Sequence, residues 1–302
     1  MEPTPQSQVA DESWELPRDT LLQVADLHFW NLIINPVRLL NKRALGMINV
    51  AMRRRHEFDA ARAFSYIEAL AASPCRQLLL TGDFTSTSLD EEFEQARAFL
   101  ATLCKRGFTT HVLPGNHDVY TFESVRRRRF ERHFGEYLPR NGYPSCHTLP
   151  GGTSLILVPT VCPNLFSSRG RVAHKDVNAV AKLLAATSDP VIVAGHYPIL
   201  RRTPGYVLTK EREMRNAQVL REALGGCGRR VLYVCGHGHR FSFVYDALYP
   251  NLTHLSTGTF FGKHRHGQMD GTFAEIDVLR EGFRVFKHTH IGEWKRESVS
   301  AG

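Results

Sequence analysis

Three features of the sequence predict an α/β protein. First, five apolar runs at residues 21–25, 77–81, 111–114, 191–194 and 231–235 each lead into a polar turn that contains glycine, histidine or both. Such runs are typical of buried strands. Second, helical patterns at residues 60–72 and 91–105 separate some of these runs, the second with Ser88 as its predicted N-cap. Third, residues 272–278 and 282–289 form a predicted hairpin, with another strand within 251–261.

The length and composition favour one domain with an insertion. The chain has 302 residues, of which 42% are hydrophobic, so it can bury a sizeable core. No internal repeat, low-complexity tract or linker marks a boundary. We therefore expect a flexible leader at 1–19, a single domain at 20–292 with a basic amphipathic insertion at about 29–58, and a tail at 293–302.

The cysteines and the apolar runs bear on the location of the protein. Six scattered cysteines show no CxxC pairing, which favours a reducing compartment. Residues 1–19 lack the apolar core of a secretory signal, and no run reaches about 18 apolar residues, the length of a membrane span. We expect a cytoplasmic protein, with peripheral contact at the inner membrane as an open alternative.

The net charge indicates anionic partners. There are 38 Lys and Arg residues against 30 Asp and Glu residues. Phosphorylated small molecules, lipid headgroups and nucleic acid all fit this excess, and so does a solvated cationic face. Nucleic acid is not expected, because no recognition motif or long basic stripe with interleaved aromatic residues is evident.

Polar residues that can bind metal follow each of the five apolar runs that predict buried strands. A lone buried histidine is usually a hydrogen-bonded core residue, but here ligand types recur in all five turns. Carboxylate, amide and imidazole donors suit Mn, Fe or Zn better than Ca or a thiolate site. In chain order these residues are Asp26, His28, Asp83, Asn116, His196, His237 and His239.

The compound pattern DxH, GD, GNH(D/E), GH and GHxH, met in full over residues 26–239, resembles that of the calcineurin-like metallophosphoesterase family. The resemblance implies a four-layer α/β/β/α sandwich and two divalent metal ions, with Mn the first expectation. It assigns one ion to Asp26, His28, Asp83 and His239, and the other to Asp83, Asn116, His196 and His237. A carboxylate such as Asp83 can bridge two ions, and a hydroxide shared by them can attack phosphorus in line.

The resemblance also suggests catalytic residues beside the ligands. His117 is expected to contact the phosphoryl group and protonate the leaving oxygen, with Asp118 orienting its ring. The alternative is that both residues only close the turn. Arg201 and Arg202 follow the fourth ligand block closely and are predicted to bind a substrate phosphate. His264 and His266 fit a phosphate contact or an exposed basic loop equally well.

The insertion bears on the substrate. If residues 38–53 are helical, basic and apolar side chains lie on opposite faces, as in a membrane-surface helix or a packed one. The segment resembles the insert of the UDP-2,3-diacylglucosamine pyrophosphatases of lipid A synthesis, particularly the chlamydial type. That resemblance implies hydrolysis to UMP and lipid X, with Lys42 and Arg43 among the substrate-binding residues. A cyclic-nucleotide phosphodiesterase is the alternative, followed by a nuclease and a non-catalytic scaffold.

Overall fold

The computed structural model describes residues 15–31, 60–165, 167–262 and 271–302. Several interpretations of the sequence concern residues outside these ranges. They are the amphipathic helix at 38–53, the substrate-binding roles of Lys42 and Arg43, and the two readings of His264 and His266. All of these stay predictions.

Most strands belong to two six-stranded sheets. The first sheet has the spatial order Glu293–Val299 (β16), Gly282–Ile291 (β15), Gly271–Leu279 (β14), Asp19–Val24 (β1), Gln77–Leu80 (β2) and Thr109–Val112 (β3). The second has the order Ser242–Tyr245 (β12), Leu252–Ser256 (β13), Val231–Cys235 (β11), Val191–Ala194 (β7), Ser154–Leu157 (β5) and Ser145–Thr148 (β4). Two short ribbons pair Gly170–Arg171 (β6) with Met214–Arg215 (β10), and Arg202–Thr203 (β8) with Tyr206–Val207 (β9).

The helices cover the outer faces of the sheets. They are Ala60–Ala71 (α1), Asp90–Lys105 (α2), Phe122–Arg126 (α3), Arg129–Phe134 (α4), His174–Ala186 (α5) and Ala217–Gly225 (α6), with a 3-10 turn at Gly135–Tyr137. One core cluster joins α1 and α2 to the first sheet, and a second joins α5 and α6 to the other sheet. A third cluster, which includes Leu21, Leu79, Ile192 and Leu232, lies between the sheets. This arrangement confirms the four-layer α/β/β/α sandwich.

The alternation of local patterns predicted the central strands well. The five apolar runs correspond to β1, β2, β3, β7 and β11, and the predicted hairpin is β14 with β15. Within each sheet, the strands that precede ligand residues run parallel to one another: β1 with β2 and β3, and β7 with β11. Parallel strands end at the same edge of their sheet, so the residues that follow them are brought together.

Two expectations about helices need correction. Helix α2 has Leu89, not Ser88, at its N-cap position, and Glu92 accepts the Leu89 backbone N–H. The Ser88 hydroxyl instead donates to the carbonyl oxygen of His117 at 2.6 Å. The basic residues 126–129 and 132 also lie in a sequence pattern that predicts one helix, but this part of the chain forms α3 and α4, separated at Arg128, whose φ of 49° ends the first helix.

The expected chain ends are also corrected for the described residues. The tail at 293–302 contains β16, which pairs antiparallel with β15. The expected leader reaches into the fold at its end, because Asp19 begins β1 and its carboxylate accepts the backbone N–H groups of Gly151 and Thr153. Among the described residues, no helix is long and apolar enough to cross a membrane.

Candidate metal centre

The site lies where the carboxyl edges of the two sheets meet. The His196 ring, beyond β7 of the second sheet, donates through Nδ1 to the carbonyl oxygen of Thr81, beyond β2 of the first, at 2.7 Å. The His237 backbone N–H, beyond β11, donates to the Asp26 carboxylate at 3.0 Å. These bonds fix the ligand loops of one sheet against those of the other.

An unusual backbone conformation aims the side chains inward. Five of the predicted metal ligands have a left-handed backbone, with φ between 52° and 64°: Asp26, His28, Asp83, His237 and His239. Asp and His adopt this region more readily than most residues, but each such residue still costs conformational energy. Concentration of this conformation at one site indicates that the turns are held by surrounding contacts for a functional purpose.

Two glycines let the second and third ligand loops pack backbone to backbone. A Cβ atom added to Gly115 would lie 2.0 Å from the Asp83 nitrogen, and one added to Gly82 would lie 2.4 Å from the Gly115 nitrogen. Gly82 also has a φ of 91°, which disfavours other residues. Only glycine therefore allows the approach that places Asp83 beside the Asn116 loop.

The first ligand cluster consists of Asp26, His28, Asp83 and His239. One donor atom from each residue lies within 4.8 Å of the others, close enough to hold a metal ion. Nε2 of His28 is 3.0 Å from Nε2 of His239 and 3.7 Å from Oδ2 of Asp83. Three of the four residues are buried, whereas the His239 side chain is 33% exposed and leaves this side of the site open.

The second cluster consists of Asp83, His196 and His237, with Asn116 between the two rings. Oδ1 of Asn116 lies 3.1 Å from Nε2 of His196 and 2.9 Å from Nδ1 of His237. Nε2 of His196 is 3.5 Å from Oδ1 of Asp83. All four side chains predicted for the second ion therefore converge.

The hydrogen bonds on the outer side of the rings show that these donors suit a cation. His196 directs Nδ1 to the Thr81 carbonyl, and His237 directs Nε2 to the Arg212 carbonyl at 3.0 Å. With the ring protons on those atoms, the inner nitrogens present lone pairs toward the Asn116 oxygen. Lone pairs that face one another without a proton between them repel. A metal ion bound between them would remove this repulsion by accepting the lone pairs.

Burial keeps these imidazoles neutral, the form that binds metal. Burial lowers the pKa of His196 to about 4, although its hydrogen bond to Thr81 opposes the shift. The pKa of His237 is also lowered, first by burial and then by the neighbouring His196 and Arg212. Neither ring competes for a proton at neutral pH, so both are available as ligands.

His117 lies at the edge of the first cluster. Its ring is 5.0 Å from the His28 ring, centre to centre, and stacks on Tyr120. Nδ1 is 2.7 Å from the Ser86 carbonyl oxygen, to which it donates. This bond fixes the ring and makes Nε2 the atom that can exchange a proton with a substrate.

The structure contradicts the expected role of Asp118. Its carboxylate does not contact the His117 ring, but accepts the backbone N–H groups of Phe84, Thr85 and Gly115 and the Thr85 hydroxyl, at 2.8 to 3.2 Å. Burial, together with the neighbouring Asp83 carboxylate, raises the pKa of Asp118 to about 7, although the hydrogen bonds from the backbone amides oppose the shift. Asp118 therefore joins the two ligand loops, and the Ser86 carbonyl orients His117.

The predicted substrate arginines lie on an exposed segment beyond the second cluster. Both Arg201 and Arg202 are exposed, and Arg201 is 3.6 Å from Glu213. Arg212, which no motif in the sequence singles out, lies closer to the ligands. Its guanidinium donates to the His237 carbonyl oxygen at 3.2 Å, while its own carbonyl accepts from the His237 ring.

The two aromatic residues that follow the first ligands pack into or against the core of the first sheet. Phe29 is fully buried and packs at 5.8 Å and 5.5 Å from the rings of Phe99 and Phe261. Trp30 is partly buried against the same core. Phe29 thus supports the first sheet and cannot receive an apolar part of a substrate.

A four-layer sandwich that joins two ligand clusters through one carboxylate defines the class of metal-dependent phosphoester hydrolases. The family model of the calcineurin-like phosphoesterases matches residues 20–241, and the chain belongs to this family. The match includes every predicted ligand. A search of curated protein sequences gives no match.

Solved structures share the fold at low sequence identity. A dimetal phosphatase from Danio rerio has a TM-score of 0.62 and 12% identity, over 94% of this chain and 100% of that chain. The purple acid phosphatase PPD1 from yellow lupin, Lupinus luteus, has a TM-score of 0.54 and 10% identity, over 94% of this chain and 54% of that chain. At these identities the likeness concerns the fold alone.

Proposed function

We propose that this phosphoesterase holds two metal ions and cleaves a phosphodiester or pyrophosphate bond. The observation that carries the proposal is the position of Asp83. Its two oxygens face different clusters, Oδ2 toward His28 at 3.7 Å and Oδ1 toward His196 at 3.5 Å. A single carboxylate shared in this way is what a bridged pair of ions requires.

Bound ions would supply an activated water and neutralise the charge that develops on the phosphoryl oxygens. The residues of the chain would orient the metal ligands and supply the proton for the leaving group. The Thr81 and Arg212 carbonyls keep His196 and His237 in the correct tautomers, and Asp118 holds the Asp83 loop in place. His117 would deliver a proton from Nε2 to the leaving oxygen. The mixture of imidazole, carboxylate and amide donors favours Mn, Fe or Zn, of which we propose Mn.

For the substrate we propose UDP-2,3-diacylglucosamine, cleaved to UMP and lipid X. The support is the sequence of the insertion, including Lys42 and Arg43, which lies outside the described residues. A lipid substrate would bring this enzyme to the cytoplasmic surface of the inner membrane, with basic residues attracted to anionic headgroups. A cyclic-nucleotide phosphodiesterase shares all the metal ligands and is the alternative.

A panel of substrates tests these proposals with Mn²⁺-loaded protein. The substrates are bis(4-nitrophenyl) phosphate, cyclic AMP, UDP-2,3-diacylglucosamine and single-stranded DNA. We expect hydrolysis of the aryl diester as the general test and preference for the diacylated UDP-sugar over the other two. Preference for cyclic AMP would favour the alternative, and preference for DNA would indicate a nuclease. Inactivity toward all four would contradict the proposal of a phosphodiesterase or pyrophosphatase.

A double variant in the insertion separates lipid recognition from metal chemistry. Leu40 and Met47 lie on its predicted apolar face, so replacing both by Ser should impair turnover of the diacylated UDP-sugar much more than that of the aryl diester. The aryl diester serves as the internal control. Equal losses on both substrates would make the segment an ordinary packed helix and remove the support for the lipid substrate.

A further inference from the structure

A cleft rich in arginine adjoins the second ligand cluster. It has a volume of about 610 Å³ and lies between the segment after His196 and the segment from Glu213 to the start of α6. This volume suits a small-molecule ligand. The charged and polar residues that line the cleft include Arg169, Arg201, Glu213, Arg215, Gln218 and Arg221.

The two walls of the cleft start at the metal centre. Ile199 lines the cleft and is three residues after His196, so their Cα atoms are at most about 11 Å apart. Glu213 directly follows Arg212, whose carbonyl oxygen is 3.0 Å from the His237 ring. The two walls of the cleft are therefore continuous in the chain with two of the loops that carry ligands of the second cluster.

The charges in the cleft favour an anion. Four arginines and one carboxylate line it, and the Asp246 carboxylate pairs with Arg221 at 2.7 Å. The Glu213 carboxylate pairs with the guanidinium groups of both Arg169 and Arg201, at N–O distances of 3.3 Å and 3.6 Å. These two ion pairs hold both guanidinium groups on the same side of the cleft. Arg215 is exposed and makes no ion pair with any described residue. Its charge is available to a ligand.

The N-terminus of a helix faces the same space. Helix α6 begins at Ala217, and Asn216, Ala217 and Gln218 all line the cleft, so the positive end of the helix dipole faces it. Planar guanidinium donors together with a helix N-terminus are the groups that bind phosphate.

We propose that this arginine cleft binds a second phosphoryl group of the substrate, next to the one attacked at the metals. The inference rests on the proposed function and narrows it to substrates with two adjacent phosphoryl groups, which favours cleavage of a pyrophosphate bond over that of a simple diester. The cleft thereby determines specificity, while the ligand clusters provide the chemistry.

The first test measures binding without catalysis. Metal-free protein is titrated with inorganic pyrophosphate in a calorimeter, so that the ligand clusters contribute no metal-bound phosphate. We expect binding that weakens about tenfold or more in an Arg201→Gln/Arg215→Gln double variant. The control is Arg140→Gln, an exposed arginine outside the cleft, with a change of less than about twofold. Absence of binding to the wild type, or equal binding to the double variant, overturns the proposal.

A second variant tests the cleft independently, so that misfolding of the double variant would not leave the proposal undecided. Gln218→Glu places a negative charge in the cleft at the first turn of α6, where an acidic residue is compatible with the helix. It should weaken pyrophosphate binding about tenfold while the thermal unfolding midpoint stays near the wild-type value. Unchanged binding in this variant also counts against the cleft.

The second test connects the cleft to turnover. Bis(4-nitrophenyl) diphosphate and bis(4-nitrophenyl) phosphate differ by one phosphoryl group and are compared with Mn²⁺-loaded protein. In the double variant we expect KM for the diphosphate to rise about tenfold, and to rise much more than KM for the monophosphate. Equal changes for both would contradict a subsite for the second phosphoryl group. Inactivity of the wild type toward both would contradict the proposed function, whereas the binding test would still decide on the cleft.

Discussion

At the residue scale, the site depends most on Asp83, because among the described residues it is the only side chain common to both ligand clusters. It is buried, and its loop is fixed through the Asp118 carboxylate and through the His117 backbone N–H, which donates to Asp83 Oδ1 at 2.8 Å. A carboxylate buried without a balancing positive charge is costly, so bound ions would stabilise this residue as much as it binds them.

We expect Asp83→Asn to lose metal and activity together, because an amide is a poor bridge between two cations. Metal content per chain, measured by elemental analysis, and turnover of bis(4-nitrophenyl) phosphate give the result directly. The matched control is Asp277→Asn, a buried carboxylate of β14 that lies opposite Thr20 near the start of β1 and contacts Arg284 and Thr20. If Asp83→Asn retained two metal ions per chain and near-normal turnover, Asp83 would not be the bridging ligand.

We expect His117→Ala to impair the reaction rate more than metal binding, because Nε2 serves the leaving group while Nδ1 is bonded to Ser86. For substrates with poor leaving groups, kcat should fall by roughly 10²–10⁴. The loss should be smaller for a nitrophenolate, which needs little protonation. Equal losses across leaving groups would instead indicate that His117 only contacts the phosphoryl group.

At the element scale, loops rather than strands carry the ligands, and buried polar groups connect these loops. Asp118 accepts backbone N–H groups from both the Gly115 turn and the turn after Asp83. Gly115 permits the close approach that these bonds require. The strands bring the loops to one edge of the sheet, and the connections between the loops give the ligands their final positions.

We expect Asp118→Ala to lower the free energy of unfolding by about 2–4 kcal/mol, because it leaves several buried donors without an acceptor. Urea unfolding of metal-free protein measures this effect without a contribution from bound ions. Metal affinity should fall in the same variant. His117→Ala is the control and should leave both quantities near the wild-type values. If Asp118→Ala lowered only kcat, the original assignment as a residue that orients His117 would be restored.

At the scale of the whole molecule, the first sheet extends beyond the family motif through three C-terminal strands. Glu275 of β14 accepts hydrogen bonds from His288 of β15 at 2.9 Å and from Arg296 of β16 at 2.8 Å. Burial disfavours the ionised form of this carboxylate and by itself would raise its pKa. The hydrogen bonds and charges of His288 and Arg296 outweigh burial and lower the pKa of Glu275 to about 2. One ionised side chain thus links the outer strands to the centre of the sheet.

This pKa predicts how stability depends on pH. A carboxyl group whose folded pKa is lowered contributes stability that is fully present above its unfolded pKa, here 4.5, and is lost as the pH falls toward 2. We expect the urea midpoint of the wild type to fall over this range more steeply than that of Glu275→Gln. Glu131→Gln, at an exposed position, should keep the wild-type slope. Equal slopes in all three proteins would contradict the assignment.

The sequence by itself determined the fold class, the central strands and the set of potential metal ligands. Apolar runs and the polar turns after them are local patterns, and parallel strands necessarily bring such turns to one edge. The order of ligand types along the chain resembles the calcineurin-like pattern, and that resemblance implied the two clusters, including the shared position of Asp83.

Only the tertiary structure decided which atoms meet outside that pattern. The bonds from Asp118 to the Asp83 loop and the contact between Arg212 and His237 join residues without a local signal of their partners. The arginine cleft combines residues from Arg169 to Arg221, which are far apart in sequence. Such contacts depend on how loops pack after the sheets have formed, and hydrophobic periodicity, which reports only the buried face of each element, carries no information about them.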